Sequence, residues 1–270
     1  MNRCDSSFLE RRVISLAGKA IHGWRMLEDG DNILLGLSGG KDSLSLLWLL
    51  AERRRRVPID FTVKALHVEM GYRTVDHAAL DRFCKSLGVE FHLISSDYGP
   101  RAHSPENREK SPCFFCAFHR RRELFRNAER LGCAKIALAH QQDDILETFM
   151  MNLLYAGSMG TMLPVQPFFQ GKLVVIRPLA LINAGQTGQF CRKKDLPLQP
   201  PCCPSSAQGK RFESRQWLES LYAQNRRIRS SFWHAITSTG LKSLPQPPST
   251  QRQRRGLRGR TPSALRGPFK

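Results

Sequence analysis

Apolar and polar positions along this chain switch between a helical and a strand-like period, and the switches mark its elements. Residues 8–27 set Phe8, Val13, Ile14, Ala17, Ala20, Ile21 and Trp24 at helical spacing among basic groups, which predicts a surface helix with one buried face. A turn at 28–31 leads into a short apolar run, Ile33 to Leu37. Two glycines follow, then an apolar-rich helix from Asp42 to Leu50. Arg53 to Arg56 lie where cations complement a helix C-terminus, and Pro58 ends the segment.

The unit then recurs. Residues 61–68, 90–94 and 134–139 read as strands, and 74–87, 117–131 and 143–154 as helices. Strands alternating with helices of this length predict an α/β fold, a parallel sheet with helices on both faces. Residues 95–116 break the rhythm as a small cysteine-containing insertion. Residues 157–172 read as a mobile loop ahead of one more strand, Leu173 to Ile176, and helical patterning returns weakly at 212–229. Beyond Gly240 there is little to bury, so that stretch cannot repay the entropy of ordering. The expected organisation is an N-terminal helix at 1–29, a main domain at 30–235 and a disordered basic tail at 236–270.

Composition adds a partner class. The formal charge is +19, from 42 Lys and Arg against 23 Asp and Glu. Residues 241–270 carry eight basic groups and no acid, which leaves +11 on the body. A field of that sign favours polyanions, with nucleic acid the leading expectation. No apolar run is long enough to span a bilayer, and no membrane association is expected. The N-terminus has no apolar h-region of a signal peptide. The eight cysteines include one Cys-x-x-Cys, Cys113 and Cys116, and one adjacent pair, Cys202 and Cys203. That spacing suits a reducing, cytoplasmic compartment in which thiols bind metal or do chemistry.

The strongest local chemistry is Ser38-Gly39-Gly40-Lys41-Asp42-Ser43, at a strand-to-helix junction. Two glycines let main-chain amides approach an anion, the helix start adds unpaired N–H groups, and Lys41 supplies a cation. Asp42 is out of place against a bare phosphate and points to Mg²⁺ bridging acid and phosphate. The spacing is neither that of a Walker P-loop nor that of a dinucleotide fingerprint. A second strand end carries His140-Gln141-Gln142-Asp143-Asp144, followed by Glu147, Thr148 and Asn152. There Asp143 or Asp144 can share the metal with Asp42.

Cys113 and Cys116 precede a helix rich in arginine, Arg120 to Arg122, which gives the thiols an electropositive setting. A redox dithiol, half a zinc site and part of an iron–sulfur cluster all suit that spacing. Adjacent cysteines diverge, so Cys113, Cys116 and one of Cys202 and Cys203 make three usable ligands. Cys84 and Cys133 read as small core residues.

These motifs carry a resemblance. The run Ser38 to Ser43 resembles the PP-loop of the N-type ATP pyrophosphatases, which split ATP to AMP and pyrophosphate while activating an oxygen. Residues 139–157 are similar to a segment of the tRNA 2-thiocytidine synthases, matching at Asp143, Asp144, Glu147, Thr148 and Asn152. Met162, Pro164 and Arg177-Pro178-Leu179 match as well. The chain departs from the pattern at Ala139, Gln141 and Ala184, where the family has glycine, histidine and an acid. The resemblance implies an adenine nucleotide alpha hydrolase-like fold and ATP-dependent thiolation of a cytidine in the tRNA anticodon loop. It assigns the pyrophosphate to Ser38, Gly39, Gly40, Lys41, Asp42 and Ser43, and catalysis to Lys41, Asp42, Asp143 and Asp144. It also implies a [4Fe-4S] cluster on Cys113, Cys116 and Cys203 or Cys202, a sulfur donor such as a cysteine desulfurase, and a homodimer as a candidate assembly. Uridine thiolases, lysidine synthases and a decayed RNA-binding homologue are the rival readings.

Overall fold

The computed structural model describes residues 3–72, 75–105, 107, 111–201, 203–205, 208–242 and 244–246, with the backbone alone at 3–7. A six-stranded sheet runs in the order β3-β2-β1-β4-β6-β5, from β1 (Asp31–Gly36), β2 (Phe61–Glu69), β3 (Glu90–Ser95), β4 (Lys135–Ala137), β5 (Val165–Phe168) and β6 (Leu173–Ile176). Neighbours are parallel except β5, which pairs antiparallel with β6. The sheet is therefore mixed rather than wholly parallel. Phe169 and Gln170, at φ 50° and 58°, and Gly171 turn the chain between β5 and β6, so a hairpin edge stands where a loop was expected.

Successive residues of a strand face opposite sides, and the core follows that rule. Ile33 and Leu35 pack with α1 (Arg3–Gly23), α2 (Lys41–Arg54), α3 (His77–Ser86) and α7 (Ala184–Lys193). Leu34 and Ile136 face the other way, against Leu124 and Ala128 of α5 (Pro112–Arg130). Helices thus cover both faces. Each fully buried leucine or isoleucine of β1 contributes about 1.5–3 kcal/mol, so an acid at Leu34 would break the layer. A third cluster joins α6 (Gln142–Ala156), α8 (Lys210–Gln224) and α9 (Arg227–Ser238) through Phe149, Leu218 and Ile236.

Two expectations shift. The break at 95–116 contains a short helix, α4 (Tyr98–Ala102), beside α5. Packing also continues past the expected boundary at 236. Ile236 and Leu244 are buried, and Trp24 Nε1 donates to the Gln246 carbonyl at 2.8 Å. Apolar side chains at those two positions give the segment something to bury. Residues 247–270, most of the expected tail, lie outside the described residues, as does Cys202.

Candidate active site at the switch point of the sheet

Strands β2 and β4 lie on opposite sides of β1, so the order of connection reverses there. Such a reversal opens a crevice beyond the strand ends. A cleft of about 750 Å³ fills it, lined by Ser38, Gly40, Asp42, Ser43, His140 and Asp144 among others. That size accommodates a nucleotide.

The phosphate turn is set by its own hydroxyls. Ser38 N donates to Ser43 Oγ at 3.2 Å, the two serine hydroxyls lie 3.0 Å apart, and Ser43 Oγ donates to Gly40 O at 3.0 Å. Gly40 is the N-cap of α2 and carries no side-chain cap, whereas Asp76, Ser111 and Asn183 cap α3, α5 and α7. The first-turn amides of α2 are left for an anion, at the positive end of the helix dipole. Gly39 is required twice. Its φ of +79° is left-handed, and a Cβ there would stand 2.7 Å from Gln199 Cγ. Gln199 N donates to Gly39 O at 3.0 Å, and its side-chain oxygen accepts from Asp76 N at 2.8 Å. This strap brings the segment leading to Cys203 against the phosphate turn.

Lys41 Nζ reaches Asp42 at 2.7 Å and the buried Thr187 hydroxyl at 3.3 Å. Thr187 in turn meets Gln141 Oε1 at 3.3 Å, which gives Gln141 a buried role as an acceptor.

The adjacent acids of α6 part company. Asp144 lines the cleft, and its Oδ2 accepts the Gln141 amide at 2.9 Å. Asp143 is buried and faces α7 and α9: its Oδ2 accepts Ala184 N at 2.7 Å, and Oδ1 stands 3.1 Å from Arg229 Nε as an ion pair without hydrogen-bond alignment. The structure therefore brings Ser38, Gly40, Asp42, Ser43 and Asp144 to the cleft wall, with Lys41 beside them, and places Asp143 in the packing behind. Glu147 is buried as well, bonded by Arg215 at 2.7 and 3.2 Å. Burial pushes its carboxyl up and the Arg215 guanidinium opposes that shift.

Arg177 is buried under the far wall, where Nε donates to His140 Nδ1 at 3.2 Å and Nη2 to Gln166 Oε1 at 3.2 Å. Burial lowers the Arg177 pKa to about 10. Burial, and then Arg177, Arg211 and Arg121, push His140 down to about 3, so it is a neutral acceptor. Arg120, Arg121 and Arg211 add a basic lining.

Cys113 is exposed in the first turn of α5, and Cys116 is half-buried with Sγ 3.9 Å from Tyr98 O. Cys203 is half-buried. Among the described residues these thiols do not gather within 4.8 Å as ligands of one ion do. Cys84, Cys133 and Cys191 are buried, and burial pushes the Cys84 thiol up to about 12, as inert core residues require. Sequence reasoning missed Gln199 and Thr187, whose partners lie far along the chain.

A PP-loop domain model matches residues 9–201. The tRNA-cytidine(32) 2-sulfurtransferase of Polynucleobacter asymbioticus is 37% identical over 196 residues, covering 73% of this chain and 65% of that protein. That of Azotobacter vinelandii is 35% identical over 192 residues, covering 71% and 70%. The chain thus spans about two thirds of the length of these relatives. Among solved structures, the U34-tRNA thiolase NcsA from Methanococcus maripaludis with its [4Fe-4S] cluster superposes with a TM-score of 0.69 at 25% identity, covering 84% of this chain and 77% of that one. An uncapped helix behind a Ser-Gly-Gly-Lys-Asp-Ser turn at the switch point, with these matches, makes the chain a member of the PP-loop ATP pyrophosphatase superfamily, in the branch of the tRNA-cytidine 2-sulfurtransferases.

Proposed function

We propose that this protein exchanges the C2 oxygen of a tRNA cytidine for sulfur at the expense of ATP, the base being position 32 of the anticodon loop as in its relatives. The observation that carries the reading is the bare N-terminus of α2, which shares one cleft with the basic face of α5, the helix that bears Cys113 and Cys116. The amides of Lys41, Asp42 and Ser43 and the Lys41 ammonium hold the β- and γ-phosphates. The cytosine O2 attacks the α-phosphorus and pyrophosphate leaves into that cradle. Sulfide then attacks C2 with its own electron pair, and the C2–O bond breaks with AMP as leaving group. Charge that develops on the transferring phosphoryl group meets fixed dipoles rather than reorganising water.

Asp42 and Asp144 line the same cleft and would fit a magnesium ion, which prefers one or two carboxylates plus phosphate oxygens. Asp143 acts through packing and is a positioning residue in this scheme. For the cluster, the chemistry of the donor set fits: Cys113 and Cys116, three residues apart at the start of α5, and Cys203 would offer three thiols to a [4Fe-4S] group. When bound, such a cluster supplies an iron corner without a protein thiolate, suited to presenting sulfur. A cysteine desulfurase as donor and a homodimeric assembly complete the proposal. Among the described residues no helix is long and apolar enough to cross a membrane.

A uridine target is the second reading, favoured by the likeness to the U34 thiolase. Nucleoside analysis of tRNA after reaction with ATP and sulfide separates the two. Cys113→Ala is expected to abolish 2-thiocytidine while ATP binding persists; normal thiolation by that variant would exclude the cluster assignment.

A further inference from the structure

Outside the phosphate turn, one group of side chains in the described residues has the make-up of a metal site. His67 and Glu69 are two apart at the end of β2 and so share one face of the strand, and His77 stands in the first turn of α3. One ligand atom from each lies within 4.8 Å of the other two. Glu69 Oε2 is 2.9 Å from His77 Nε2 and 3.9 Å from His67 Nε2.

The tautomer of His67 is fixed. Its Nδ1 is 2.7 Å from the Leu37 carbonyl, which can only accept, so Nδ1 holds the proton and Nε2 presents a lone pair. His67 is 4% exposed, and among the described residues Nε2 has no hydrogen-bond partner. A buried, unsatisfied acceptor aimed at a buried carboxylate is costly unless something occupies the space between them. Glu69 is also oriented from behind, with Oε1 accepting the Gly71 amide at 2.9 Å. A backbone carbonyl on the far nitrogen of a histidine and an amide on the far oxygen of a carboxylate are the outer-shell contacts that orient metal ligands.

We propose that His67, Glu69 and His77 bind a divalent first-row transition ion, zinc by preference. Two imidazoles and one carboxylate are an established donor set for zinc with one position left open. Closing the triad on an ion asks His67 Nε2 and Glu69 Oε2 to approach by less than their present excess over hydrogen-bond distance. His77 would ligate through Nε2, with its ring proton on Nδ1. His67 and Glu69 line the same cleft as Ser38 and Asp42. Arg120 on that wall opposes a cation, and the Glu69 carboxylate offsets it. The site is distinct from the thiols, and the inference does not depend on the thiolation reading.

Cobalt(II) absorption on the full, chelator-stripped chain tests it, because thiolate ligands give an intense near-ultraviolet charge-transfer band and nitrogen–oxygen ligands do not. In a Cys113→Ser/Cys116→Ser/Cys203→Ser background, one cobalt per chain is expected, with d–d bands only and displaceable by zinc. His67→Gln and His77→Gln should each weaken binding by more than the roughly 10–100-fold that loss of an outer-shell partner costs. His77 is partly exposed, so His77→Gln keeps the test valid if His67→Gln fails to fold. Cobalt affinity unchanged in His77→Gln, or absent from the triple-serine background, would overturn the site.

Discussion

Lys41 Nζ lies 2.7 and 2.8 Å from the two carboxylate oxygens of its sequence neighbour Asp42. The cation and the anion of the phosphate turn therefore neutralise each other until a metal–triphosphate offers each a stronger partner. Both are partly exposed, so the pair itself contributes little to stability. Lys41→Met should leave the melting temperature unchanged and weaken nucleotide binding by roughly 10–100-fold, the loss of a charge-assisted hydrogen bond worth about 1.5–3 kcal/mol. Calorimetry with magnesium and a non-hydrolysable ATP analogue reads the difference.

The neighbouring acids of α6 should separate by assay. Asp143→Ala removes the acceptor of the Ala184 amide and the partner of Arg229, and is expected to lower stability by about 1–2 kcal/mol with magnesium-dependent nucleotide binding retained. Asp144→Ala gives up the helix-start bond to the Gln141 amide as well, but it alone should lose the difference between titrations in magnesium and in chelator. Identical behaviour of the two variants would contradict their opposite placement.

Gly39→Ala meets two obstacles, a left-handed backbone that costs about 1–2 kcal/mol and Gln199 Cγ at 2.7 Å from the new methyl. Both stability and nucleotide affinity should fall. Removing the obstacle with Gln199→Gly, since Gln199 Cβ would itself stand 2.9 Å from the methyl, should restore part of the affinity while the backbone cost remains, which a double-mutant cycle measures.

Acid should loosen the fold through His140. Its ordinary pKa near 6.5 is pushed down to about 3 in the folded protein, so between those values the unfolded chain binds the extra proton. Stability then falls as pH drops below about 6.5, by up to about 1.4 kcal/mol per unit, until the folded form also protonates. His140→Gln keeps an acceptor for Arg177 and should flatten the urea midpoint over that range. A wild-type midpoint independent of pH there would refute the assignment.

The central strands and the phosphate turn were legible because their signals are local. Buried strands read as apolar runs, and Ser38 to Ser43 are consecutive at a strand end. Strand β5 was not, because Val165-Gln166-Pro167-Phe168 is short and carries a proline, which lowers any strand reading to an edge. Helix α7 was masked by Gly185 and Gly188, both poor helix formers, and shows itself only through its Asn183 cap. Asp143 and Asp144 looked interchangeable because a one-residue step on a helix turns a side chain away, and neither spacing nor charge says which one faces the cleft. Gln199 carried no signal at all, since its partners, Gly39 and Asp76, are distant in sequence.

That glutamine has an evolutionary consequence. One residue, with its main-chain amide on Gly39 and its side-chain oxygen on Asp76, ties the turn after β1, the cap of α3 and the stretch leading to Cys203 into a single knot. Insertions between Leu196 and Cys203 would unfasten all three together, so divergence in this lineage has freer room on the rim of the sheet, around β5, than in that short span.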